Sequence, residues 1–95
     1  MSLDVKPFDV AEYLVDEQHI ESYLEAAFEE GDPALIAAAI GDIAKARNIS
    51  AIAKDSGLTR ETIYRAFSKD GNPTLSTLSS VIKSLGFQLS IKPIS

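Results

Sequence analysis

Apolar residues recur at helical spacing along most of the chain, and each run is bounded by residues suited to a helix end. Ile20, Tyr23, Leu24, Ala27 and Phe28 fall at i, i+3, i+4, i+7 and i+8, between a capping Asp16 and Gly31. This predicts a helix to about Glu30. Ahead of it, Asp9 is placed to cap a short turn through Glu12, Tyr13 and Leu14. Asp32-Pro33 restarts the chain with a cap residue and a first-turn proline, and Leu35, Ile36, Ala39, Ile40 and Ile43 form a second stripe ending near Arg47-Asn48. Three shorter helices follow. Ser50 caps two turns to about Ser56 with Ile52 and Ala53 inward, and Gly57-Leu58 makes a tight turn. Thr59 caps a helix to about Lys69 with Ile63, Ala66 and Phe67 inward. After the Asp70-Gly71-Asn72-Pro73 loop, Thr74 caps a last helix carrying Leu75, Leu78, Val81, Ile82 and Leu85, which Gly86 ends.

The period then changes. Phe87, Leu89 and Ile91 alternate with Gln88, Ser90 and Lys92 before Pro93, which predicts a strand over 87–93. A lone strand leaves its backbone unsatisfied. Its neighbour is expected to be Leu3 to Pro7, a second copy of the chain, or an edge strand of a partner. The predicted architecture is all-α, a single domain of five to six helices with a short C-terminal strand. Residues 8–32 form an N-terminal helical segment, and residues 33–86 form the core.

Composition narrows what such a domain can do. Ninety-five residues with 45% hydrophobic and 24% charged positions suit one modest core and leave no room for a large catalytic cavity beside it. Cysteine is absent, which excludes disulfides, thiolate zinc sites and cysteine nucleophiles. His19 is the single histidine and is expected near the start of a surface helix; catalysis, cofactors and metals are not expected. The longest apolar run, Ala34 to Ile40, is far too short for a membrane span. Met1-Ser2-Leu3-Asp4 lacks the pattern of a signal peptide, so a cytoplasmic location is the expectation.

The net charge of -5 conceals an asymmetry. Residues 1–32 carry ten acids against Lys6, a balance of -9, whereas residues 33–95 carry eight basic residues against four acids, a balance of +4. Two surfaces with different partners are implied. Glu17, Glu21, Glu25 and Glu29 repeat at i, i+4 and line up in one row. Each like-charged pair costs about 0.2–0.5 kcal/mol of helix stability. A solvated face that keeps the chain soluble accounts for such a row. A basic partner accounts for it too and would turn the repulsion into attraction, with Tyr13 as an aromatic anchor and Tyr23 and Phe28 as further candidates that the helix pattern assigns to the core.

Residues 50–67 hold the spacing of a helix-turn-helix. Ala53 lies four residues before Gly57 and Ile63 six after it, so that two short helices meet closely across a glycine turn. The outward positions of the second helix are Thr59, Arg60, Glu61, Thr62, Tyr64, Arg65, Ser68 and Lys69. Arginine reads guanine or clamps phosphate, hydroxyls contact phosphate, and Glu61 accepts from cytosine or holds an arginine. A solvated helix face is the competing reading, against which stand the small and apolar residues at the joint.

The stretch from Asn48 to Phe87, with its "SGLTRETIYRAFSKDGNPTLSTL" centre, resembles the Cro/λ-repressor-like (XRE) helix-turn-helix family. With the lead-in "YLEAAFEEGDPALIAAAIGDIAKARNIS", residues 8–92 resemble the addiction-module antidote family, antitoxins of HigA type. The resemblance implies a λ-repressor-like bundle that neutralises a small basic toxin of the RelE/HigB/ParE superfamily and represses its own operon. It carries the DNA role onto Thr59, Arg60, Thr62, Tyr64 and Arg65, and Asn72 falls in the family's "NP" segment. One departure stands out. Many of the wider family's repressors place glutamine at the second position of the first motif helix, where this chain has Ala51, so phosphate contact there falls to Ser50 or its backbone. A homodimer is expected, because a twofold places recognition helices about 34 Å apart, on successive major grooves. Two other readings stay open: a dimeric repressor without a toxin, and an interaction adapter that has lost DNA binding.

Overall fold

The computed structural model describes residues 16–94, which form five helices and no strand. These are α1 (Glu17–Glu30), α2 (Pro33–Arg47), α3 (Ile49–Ser56), α4 (Arg60–Ala66) and α5 (Leu75–Ser84). Among the described residues, no helix is long and apolar enough to cross a membrane.

The boundaries follow from local chemistry. The Asp16 carboxylate accepts from the Gln18 N–H at 2.9 Å, and Gly31, left-handed at φ 75°, donates its N–H to the Phe28 carbonyl at 3.1 Å. Asp32 then accepts from the Ala34 N–H at 3.0 Å with Pro33 in the first turn, so α2 begins within three residues of the end of α1 and packs on it. The boundary between α2 and α3 departs from expectation. The cap of α3 is Asn48, not Ser50: the Asn48 Oδ1 accepts from the Ser50 and Ala51 N–H groups at 3.1 and 3.2 Å. Asn48 is extended, at φ 170° and ψ 98°, so one residue both ends α2 and opens α3. Ser50 consequently lies inside the first turn.

The other departures lie toward the C-terminus. α4 stops at Ala66, three residues short of Lys69, because Phe67 leaves helical geometry at φ -106°, ψ 61° as its side chain enters the core. α5 closes in a Schellman arrangement: with Gly86 at φ 94°, the Gly86 N–H reaches the Lys83 carbonyl at 3.0 Å and the Phe87 N–H reaches that of Ile82 at 3.1 Å. That motif holds Phe87 against the core. Beyond it the predicted strand over 87–93 does not form a ladder. A strand exists only with a paired neighbour, and no described residue supplies one; Leu3 to Pro7, like the short turn expected from Asp9, lies outside the described residues.

One core joins all five helices. Ile20 and Leu24 of α1, Ile40, Ile43 and Ala44 of α2, Ile52 and Ala53 of α3, Ile63 of α4, Phe67, and Val81, Ile82 and Leu85 of α5 are buried together. Each large aliphatic or aromatic member contributes about 1.5–3 kcal/mol relative to exposure. Phe28, Leu35 and Leu75, expected on the buried stripes, are exposed instead, at the edge of each stripe. The tightest approach is at Gly41, in mid-α2, where a Cβ would overlap the Phe67 carbonyl oxygen. Glycine at 41 is therefore what lets the end of α4 lie directly on α2.

Candidate functional site

The pair α3–α4 is assembled around Gly57. At φ 76° it takes the left-handed conformation that turns the chain, and the Leu58 N–H closes α3 on the Ala53 carbonyl at 3.0 Å. Ala53 and Ile63 are buried at the joint, with Leu58 and Ala66 half-buried beside them. α4 then starts on Thr59, whose Oγ1 accepts from the Thr62 N–H at 3.0 Å while its hydroxyl donates to Thr62 Oγ1 at 2.8 Å. The two threonine hydroxyls expected to contact phosphate are thus committed first to each other.

Ile63 and Phe67 turn one side of α4 into the core, so the opposite side faces water. Arg60, Glu61, Tyr64 and Arg65 are all exposed on it, and Thr62 is half-buried. Lys69 and Asn72 are exposed but lie past the end of the helix, in the loop that returns to α5. That loop is held by the Gly71 N–H on the Ser68 carbonyl at 2.9 Å, and a Cβ at Gly71 would overlap the carbonyl oxygen of Ala66. Ser50 is exposed at the head of α3. Its N–H and that of Ala51 are already taken by Asn48, so its hydroxyl is what it offers a ligand.

Lys45 joins this surface from α2, with its Nζ 5.7 Å from the centroid of the Tyr64 ring. Sequence spacing gave no sign of it, since the two residues lie on different helices, whose closest approach is at Gly41 and Phe67. The stack restrains Tyr64 and sets a lysine from α2 beside the exposed face of α4.

The acidic row occupies a different face. Glu17, Glu21, Glu25 and Glu29 are exposed along α1, and among the described residues no lysine or arginine forms a salt bridge with any of them. His19, beside the row, has its Nδ1 3.9 Å from Asp16 Oδ2. Glu21, Glu25 and Glu29 line an open groove of about 520 Å³ together with the segment after α5, whereas Glu17 lies outside it. Tyr13 lies outside the described residues. Tyr23, half-buried on the same helix, donates to Asp42 Oδ2 at 3.3 Å and ties α1 to α2. Burial pushes its phenol above its ordinary pKa of 10.0, and the charge and hydrogen bond of Asp42 push the same way.

Residues 4–93 match the family described as "Probable addiction module antidote protein". A protein of Haemophilus influenzae strain Rd, named only as an uncharacterized protein, is 46% identical over 92 residues, spanning 97% of this chain and 95% of its own. No solved structure matches. With nearly the whole chain inside that match, the protein belongs to the addiction module antidote family.

Proposed function

We propose that this antidote is a HigA-type antitoxin with a λ-repressor-like helix-turn-helix. On this reading it acts through two separate faces. An antidote implies a toxin partner, and the acidic face of α1 binds a small basic toxin of the RelE/HigB/ParE kind, while a homodimer uses α3–α4 to bind operator DNA and repress its own operon. α4 is the recognition helix. The observation that carries the DNA half is the exposed row Arg60, Glu61, Tyr64 and Arg65 on a helix anchored from behind by Ile63 and turned by a left-handed Gly57. Arg60 and Arg65 read bases or clamp phosphates, Glu61 orients an arginine, and Ser50, Thr59, Thr62, Lys69 and Asn72 supply flanking contacts. The toxin half is supported by the balance of -9 over residues 1–32, ten acids against one lysine, and by the exposure of Glu17, Glu21, Glu25 and Glu29 along α1.

The test uses two variants for the DNA face and one double variant for the acidic face. Arg60→Ala and Arg65→Ala should each weaken binding to the protein's own promoter fragment by about 1–3 kcal/mol if they read bases, and leave toxin binding unchanged. Glu21→Lys/Glu25→Lys should weaken toxin binding and its salt dependence and leave DNA binding intact. Unaltered promoter binding by both arginine variants refutes the placement of the recognition helix.

A further inference from the structure

Past the Schellman turn at Gly86, the chain follows one side of the groove whose other side is α1. Leu24 and Ile82 are buried at its base, Phe28 and Phe87 flank them, and Glu21, Glu25 and Glu29 stand exposed at the rim. Residues 87–94 run without a turn or bend. The Phe87 N–H is satisfied by the Ile82 carbonyl, but no hydrogen bond joins residues 88–94 to any described residue. Of the apolar positions in the alternating pattern, Phe87 packs on the core and Leu89 is 36% exposed, whereas Ile91, at 99%, has nothing over it. Period-two side chains on a backbone with no hydrogen-bonded partner among the described residues are what a chain presents before it pairs into a sheet.

We propose that residues 88–92 take an edge strand of the toxin as that neighbour, pairing backbone to backbone in the groove while basic side chains of the strand meet Glu21, Glu25 and Glu29. The inference rests on the toxin-binding reading above and names where and how the contact is made. Charge selects this occupant. The chain's own residues 1–15 carry Asp4, Asp9 and Glu12 against Lys6, and would bring further negative charge to the rim. A second copy's residues 87–92 would bring Lys92 alone against three glutamates. A basic strand with cations on alternate residues is the occupant that matches the row.

The experiment is hydrogen–deuterium exchange of the full chain, free and saturated with the toxin of the same module, alongside titration of that toxin into the wild type and Glu21→Lys/Glu25→Lys. In the free protein, amides 88–92 should exchange close to the unstructured rate. In the complex, alternate amides among them should slow by about tenfold or more, as for any newly paired strand edge. The double charge reversal should weaken binding by about tenfold or more. If the toxin binds and charge reversal weakens it, yet amides 88–92 stay unprotected, this inference is overturned while the toxin-binding role of α1 stands. If charge reversal leaves the affinity unchanged, the role of the acidic face fails, and this inference with it. Protection of these amides in the free protein that vanishes on dilution would make a second copy the occupant and also overturn it.

Discussion

Gly41→Ala opposes two effects whose magnitudes differ in sign. In an exposed helix interior, replacing glycine with alanine stabilises by about 1 kcal/mol, through backbone entropy and helix propensity. At position 41 the added methyl overlaps the Phe67 carbonyl oxygen, and that atom belongs to backbone, so no side-chain rotation can relieve the clash. Inserting a methyl into a packed core commonly costs about 1–3 kcal/mol, and the upper end applies where two backbones must separate. The net expectation is a loss of about 1–2 kcal/mol. For a domain of this size that lowers Tm by roughly 4–8 °C per kcal/mol. Separation has a second consequence, because Lys45 lies one turn beyond Gly41 and stacks on Tyr64 of α4. On the proposed DNA-binding role of α4, affinity for the promoter fragment should therefore fall along with stability. Urea and thermal unfolding followed by far-ultraviolet circular dichroism measure the first effect, and a promoter-fragment titration the second. A Tm equal to or above that of the wild type would refute the close approach of α2 to the end of α4.

Asn48→Ala should cost about 0.5–2 kcal/mol by removing the acceptor for two N–H groups at the head of α3, whereas Ser50→Ala should stay within about 0.5 kcal/mol in urea unfolding. Equal effects would show that the cap is misassigned. Tyr23 makes stability depend on pH in the alkaline range. Its folded pKa lies above the unfolded value of 10.0, so its contribution is complete below pH 10 and is lost as pH rises through the folded value. The stability difference between wild type and Tyr23→Phe should accordingly be flat at neutral pH and shrink above pH 10. A difference that grows with pH would reverse the assignment.

Where a single residue type dictates the local backbone, the chain could be read directly. Asp16, Thr59 and Thr74 cap helices because a short polar side chain reaches the N–H groups of the first turn, and Gly31, Gly57 and Gly86 end or turn helices in the left-handed conformation. The exposed face of α4 was legible for the same reason, since Ile63 and Phe67 at i, i+4 leave the other side to water. The cap of α3 was not. Asn48 and Ser50 are both good capping residues, and the choice depends on where α2 releases the chain. Lys45 was invisible as part of the α4 surface because its contact spans two helices.

From residues and spacing alone follow the presence and order of the helices, the two oppositely charged faces, and the glycine turn between α3 and α4. Each depends on interactions within a few residues along the chain. Tertiary structure decided the rest. Phe67 cuts α4 short to fill the core, Gly41 matters because another backbone arrives there, and Leu35 and Leu75 stay outside although they sit beside buried stripes. The C-terminal segment shows the division most clearly. Its alternation is written in the sequence, but pairing is a property of two segments, and the described chain holds only one of them.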